Sequence, residues 1–146
     1  NKYFSCDPLM TLGAAIQQMR ASEPEDFATQ ASAEMMRSLE QHDAVHILFD
    51  LGTSIQDEIA AHIWMMLATN ANVSEMHRAV ATQEHRSVLA GIGHLQLMGI
   101  WCLSLPRIIG IFFKSWQMKR KIAVEDLSIL KQQSILAIRQ DHGIVL

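Results

Sequence analysis

Between Met35 and Glu58 the chain reads MMRSLEQHDAVHILFDLGTSIQDE, two helical runs hinged around Gly52. Met35, Leu39, His42, His46 and Phe49 recur at spacings of four, three, four and three, the repeat of one α-helical face. Gly52 is a natural helix stop, and Thr53 or Ser54 can cap the next helix with Gln56 or Asp57 returning the bond. Outward from this hinge, apolar residues keep recurring at three and four rather than at two. The runs are rich in Ala, Met, Leu, Gln and Glu, good helix formers, so the chain is predicted to be all-α, a single compact multi-helix domain over residues 1–146.

The same reading gives a first helix over Leu9 to Arg20, with Leu9, Leu12, Ile16 and Met19 on one face. Ser22-Glu23-Pro24-Glu25 has capping-box spacing and opens a long second helix from Glu23 to Leu51. A third helix runs to about Thr69, Asn70-Ala71-Asn72 marks a turn, and Ser74 caps a fourth helix through Ala90. Val88 to Phe113 is mostly apolar and is expected to break at Pro106. A last helix over Glu125 to Gln140 carries Leu127, Leu130, Ile135 and Ile138 and ends at Gly143.

Composition removes several classes of protein. With 49% hydrophobic and 18% charged residues the chain is not intrinsically disordered. A net charge of −3 lacks the basic field of a nucleic-acid binder. Cys6 and Cys102 form no disulfide framework and no CxxC motif, which fits a reducing compartment. The chain opens on Asn1, so a processed or trimmed start is expected. Charge is uneven: residues 20–58 hold nine acids and two bases, and residues 107–146 hold seven bases and three acids, which suggests two differently employed surfaces.

The chemistry concentrates on the hinge. His42 and His46 stand one helical turn apart on an otherwise apolar face, with Asp43 on an adjacent row. A helix that reverses at Gly52 returns Glu58 beside them, with His62 one turn further. A single inward histidine is more often a hydrogen-bonded core residue than a ligand, but two in register with carboxylates invite a divalent cation, which answers the burial of all of them. His42, Asp43, His46 and Glu58 can hold a four-coordinate zinc, or three can bind while the fourth holds a metal-bound water; iron, manganese or magnesium also fit such donors. Asp57 and His62 are candidates for orienting a ligand, or else ordinary capping and core-edge residues. A zinc peptidase would need HExxH, and position 43 is Asp, too short for that base. An HD-type phosphohydrolase would need an earlier histidine, and His42 is the first in the chain.

His42-Asp43-x-x-His46, followed after eleven residues by Glu58, in an all-helical chain resembles the zinc-ligand motif of the fourth coenzyme Q biosynthesis protein family (Coq-four-like). Glu58-Ile59-Ala60 and the ending Ile138-Arg139-Gln140-Asp141-His142-Gly143-Ile144 extend the likeness. The resemblance implies a metal-dependent protein of ubiquinone biosynthesis, binding or acting on a polyprenylated hydroxybenzoate by loss of its C1 carboxylate. It implies a peripheral membrane location, on the cytoplasmic face in a bacterium or the matrix side of the mitochondrial inner membrane. Implied partners are an isoprenoid lipid, the membrane surface, and a second copy of the chain or other quinone-biosynthesis proteins. Two alternatives stay open on the same ligands: a non-catalytic isoprenoid carrier or scaffold, and a prenyl-phosphate phosphohydrolase.

A polyprenyl tail needs an apolar groove, and Gly91, Gly93, Gly99 and Gly110 would either let helices part around one or permit close packing. The apolar run has the length of a membrane span, but His94, Gln96, Pro106 and Arg107 argue instead for a buried helix followed by an interfacial one. Phe112, Phe113 and Trp116 beside Lys119, Arg120 and Lys121 suit an anionic membrane interface or, equally, a solvated basic turn. His77, His85 and His142 are expected at the surface and His94 in the interior. The nine methionines read as core filler.

Overall fold

The computed structural model describes residues 7–21, 33–70 and 93–146. Within them every regular element is helical: α1 (Leu12–Ala21), α2 (Ala33–Leu48), α3 (Ile55–Ala68), α4 (His94–Gln117), α5 (Leu127–Leu130) and α6 (Ile135–His142), with a short 3₁₀ turn at Val124–Asp126 before α5. The expected caps at Ser22 and Ser74, the start at Glu23, the helix through Ala90, Ala71, Asn72, Gly91, His77 and His85, and the side chains of Met35 and His94 lie outside the described residues.

Helix α1 packs on α2, α2 on α3 and α6, and α3 along α4. The amphipathic stripes meet in one core, in which Leu12, Leu48, Met65, Ile135 and Ile138 are almost wholly enclosed. Phe49 and Trp64 stack within it, ring centroids 4.0 Å apart and planes 16° from parallel.

The first helix starts later than expected. The Asp7 carboxylate accepts from the Leu9 amide at 2.9 Å and the Asp7 carbonyl from Met10 at 3.0 Å, so residues 7–10 form a turn and Leu9 is exposed. Helix α2 also ends earlier, at Leu48. Asp50, not Gly52, takes the left-handed conformation (φ 54°), and the Leu51 amide returns to the His46 carbonyl at 2.8 Å. Ser54 caps α3 as expected: its hydroxyl accepts from the Asp57 amide and donates to the Asp57 carboxylate.

Three further expectations are corrected. Pro106 does not break α4; it sits on an exposed face, so the carbonyl it deprives of a donor is not enclosed. Nor is the first half of that run a buried helix, because Leu95 and Leu103 are 86% and 79% exposed. The single last helix is divided into α5 and α6, since Ser134 starts a new helix by accepting from the Ala137 amide at 3.1 Å. Its end at Gly143 holds, with φ 71° and a backbone pressed against Lys119: a Cβ there would lie 3.0 Å from the Lys119 nitrogen. His142, expected at the surface, is buried and its Nδ1–H donates to the Ile138 carbonyl at 2.8 Å.

One long-range contact fixes α2. The Arg139 guanidinium donates to the Leu48 carbonyl at 2.9 Å and the Ile47 carbonyl at 3.0 Å, satisfying acceptors that the helix end leaves over. Arg139→Met is expected to lower the free energy of unfolding by about 2 kcal/mol. Urea denaturation would measure it, and an unchanged midpoint would refute the capping role.

Candidate metal centre

Helix α2 is held in register by its left-handed stop at Asp50 and its Arg139 cap, and α3 begins where Ser54 sets it. That reversal brings the last two turns of α2 against the first turn of α3. His42 and His46, four residues apart, put their Nε2 atoms 3.2 Å from each other. Glu58 reaches across with Oε2 3.2 Å from His42 Nε2 and Oε1 3.3 Å from His46 Nε2. Both histidine side chains are 3% exposed and that of Glu58 is 16% exposed.

Three lone-pair atoms converge here, and their spacing decides what suits them. Zinc bonds of about 2.0–2.1 Å put the corners of a tetrahedron about 3.3 Å apart. The observed separations of 3.2, 3.2 and 3.3 Å match three such corners. Hydrogen bonds alone serve the trio less well. If both imidazoles donate from Nε2 to the carboxylate, two N–H groups face each other at 3.2 Å. His46 Nδ1 is buried with no hydrogen-bond partner among the described residues, and it carries the ring proton when Nε2 gives its lone pair to a cation. The residues therefore fit a divalent cation, and His42, His46 and Glu58 could hold one.

Electrostatics suit the same role. Burial pushes the Glu58 carboxyl up, but the hydrogen bonds and charge of His42 and His46 more than reverse this and hold it well below the ordinary carboxylate range. Glu58 is thus an anionic donor at neutral pH. Asp57 beside it is raised by burial and brought below its ordinary value by Ser54 and Arg107.

Asp43 is not part of the donor cluster. One residue on from His42, it is turned about 100° round the helix, and its Oδ2 accepts from Arg20 Nε at 3.1 Å. Its Oδ1 lies 3.9 Å from His42 Nδ1, the far side of the imidazole, too long for a hydrogen bond. The two candidate orienting residues are also engaged elsewhere. His62 Nδ1–H donates to the Glu58 carbonyl at 2.7 Å, gripping the backbone rather than the carboxylate. Asp57 joins Ser54 and accepts from Arg107 at 2.8 Å, tying α3 to α4.

On α4 and after it, Phe112, Phe113, Trp116, Lys119, Arg120 and Lys121 are all exposed, with Trp116 in edge contact with both phenylalanines. Arg120 pairs with Asp141. Of the expected groove glycines, Gly93, Gly99 and Gly110 would place a Cβ with no heavy atom of the described residues within 4 Å, so among those residues they do not mediate close packing. Sequence reasoning passed over the supports: Arg20 on Asp43, Arg107 on Asp57, Lys131 on Glu40 and Arg139 on the end of α2. Their partners lie 23 to 92 residues away, and the charge imbalance between the two halves was the trace they left in the sequence.

The chain matches no protein-family model, and comparison with curated proteins and with solved structures gives no match.

The geometry separates ligand from neighbour. His46→Gln and Glu58→Gln are each expected to reduce bound metal at least tenfold, while Asp43→Asn retains it to within a few-fold. Equilibrium dialysis with zinc on purified variants provides the check; equal loss in all three would return Asp43 to the ligand set.

Proposed function

We propose that the chain is a metal-dependent, membrane-associated protein of quinone biosynthesis, of the fourth coenzyme Q biosynthesis family, that removes the C1 carboxylate of a polyprenylated hydroxybenzoate. The observation that carries this reading is the His42, His46 and Glu58 triad, spaced at 3.2–3.3 Å as corners of a tetrahedron. Three protein donors are the pattern of a catalytic zinc site, in which substrate or water completes the coordination. Zinc is the first choice, with iron, manganese or magnesium as substitutes on the same donors.

The bound ion supplies Lewis-acid polarisation near the carboxylate. The chain's part is to hold that ion: both Nε2 atoms and the Glu58 carboxylate aim inward, and Ser54, Asp50 and Arg139 fix the helices that carry them. The reaction is redox-neutral. The bond from C1 to the carboxyl carbon breaks, carbon dioxide leaves, the electron pair stays on C1, and a proton from solvent replaces the carboxylate. The polyprenyl tail calls for a membrane, at the cytoplasmic face in a bacterium or the matrix side in a mitochondrion. In support, Met98–Gln117 is long and apolar enough to cross a membrane, with mean hydropathy 1.2 and 11% of that window buried. Helices mostly buried in a soluble core pass the same length test; this one is mostly exposed.

A second reading draws on the burial of the imidazoles, 3% exposed: an isoprenoid carrier or scaffold in which the ion is structural. Turnover separates the two. Zinc-loaded protein incubated with a prenylated hydroxybenzoate in detergent should release carbon dioxide, and Glu58→Gln should release at least a hundredfold less. Bound lipid and full metal occupancy without release would establish the carrier, and release of inorganic phosphate from a prenyl phosphate would establish the phosphohydrolase.

Metal retention should also depend on pH with a definite sign. A metal takes the lone pairs of both imidazoles while Glu58, held below its ordinary range, stays an anion, so zinc affinity is expected to fall on acidification, as protons compete for the imidazoles and not for Glu58. Chelator at neutral pH should lower the thermal midpoint and added zinc restore it. A midpoint indifferent to both would exclude a resident ion.

A further inference from the structure

Beyond the metal, the strongest feature is the C-terminal end of α4. A cleft of about 380 Å³ opens there, walled by Leu67, Phe112, Trp116 and Met118 and rimmed by Arg120 and Lys121. The geometry points to a binding site for one anionic phospholipid, its phosphate between Arg120 and Lys121 and its acyl chains along Phe112, Trp116, Leu67 and Met118. Seating a lipid here builds on the membrane placement proposed above and is independent of the metal.

Charge and polarity argue for this occupant together. No acid occurs among residues 93–124, whereas Arg107, Lys114, Lys119, Arg120 and Lys121 all do. Asp141, which pairs with Arg120, is the acid that touches this rim; Lys121 makes no ion pair among the described residues. A guanidinium oriented by one carboxylate keeps further N–H donors for a phosphate. The apolar walls are unusually wet for a protein surface: Trp116 is 75% exposed and Phe112 45%. Indole and phenyl rings next to lysines mark the depth of the headgroup region. An RNA backbone would satisfy the cations but leave Leu67 and Met118 without a role.

The same contacts orient α4. Arg107, near its middle, is bound to Asp57 of α3, and α3 packs along α4. A transmembrane α4 would draw Asp57 and Glu58 toward hydrocarbon, a costly place for carboxylates. An α4 lying in the interface, with Trp116 and the phenylalanines inserted, keeps α3 in water and brings the cleft to the phosphates.

Cosedimentation of the full chain with vesicles tests the lipid class, and titration with monomeric short-chain phosphatidylserine, followed by tryptophan fluorescence, tests the cleft. The chain is expected to bind phosphatidylserine-containing vesicles at least tenfold better than pure phosphatidylcholine, with binding weakened by salt. Lys121→Gln should weaken the monomeric lipid about tenfold, because it loses a charge-assisted contact. Arg37→Gln, an equal change of charge at an exposed position of α2 that does not line the cleft, should stay within about twofold. Equal effects of the two substitutions, equal binding to both vesicle types, or inorganic phosphate competing as tightly as the lipid would each overturn the cleft. Zinc content measured on the same samples separates the two proposals: lipid binding without metal leaves the cleft standing and removes the metal reading.

Discussion

Two imidazoles and a carboxylate enclosed between neighbouring helices form the constraint on which the rest of this molecule turns. A histidine costs little at the surface and a good deal inside unless its ring nitrogens are answered. Here two rings and Glu58 answer one another at 3.2–3.3 Å, and they can do so because α2 stops at Leu48 and α3 starts at Ile55. One residue inserted between the Ser54 cap and Glu58 would rotate Glu58 by about 100° round α3 and take its carboxylate away from both rings. The backbone therefore accepts Asp50 at φ 54°, a conformation that glycine adopts more readily, to close the turn at that length.

How much of this was legible follows from where each signal lies along the chain. The helical class and the triad were readable because their signals are local: spacing of four puts His42 under His46, and Gly52 through Ser54 announces the reversal that returns Glu58. Asp43 is different, because a carboxylate on the adjacent row can turn to the imidazoles or to a neighbouring helix, and spacing does not choose between them. The adjacent row faces α1, where Arg20 holds it. The supports were legible only as an uneven charge along the chain, with nothing to say which residues pair. Arg139 meets Ile47 and Leu48 from 92 and 91 residues away, and no local pattern distinguishes a capping arginine from a solvated one.

The errors at element ends share a cause. Leu9 has the right spacing for the α1 face, yet Asp7 captures the amides that a helix would need. Ser134 interrupts a continuous apolar stripe because its hydroxyl competes for the Ala137 amide. Pro106 illustrates the converse. A strong local rule predicts a break, but on an exposed face a missing amide costs little, and the helix continues to Gln117.

The pair between Arg107 and Asp57 joins the two functional halves. With side chains 43% and 20% exposed it is screened by solvent and adds little to stability. Its value is register. Asp57 precedes the ligand Glu58, and Ser54 holds the same carboxylate from the capping side, so the first turn of α3 is clamped between its own cap and α4. Helices α2, α3 and α4 are thus joined through one turn, and the proposed headgroup at Lys121 would settle α4 from the end opposite its exposed N-terminal half. Under both proposals, position at a membrane and position at an ion would be set through a single backbone segment, Ser54 to Glu58.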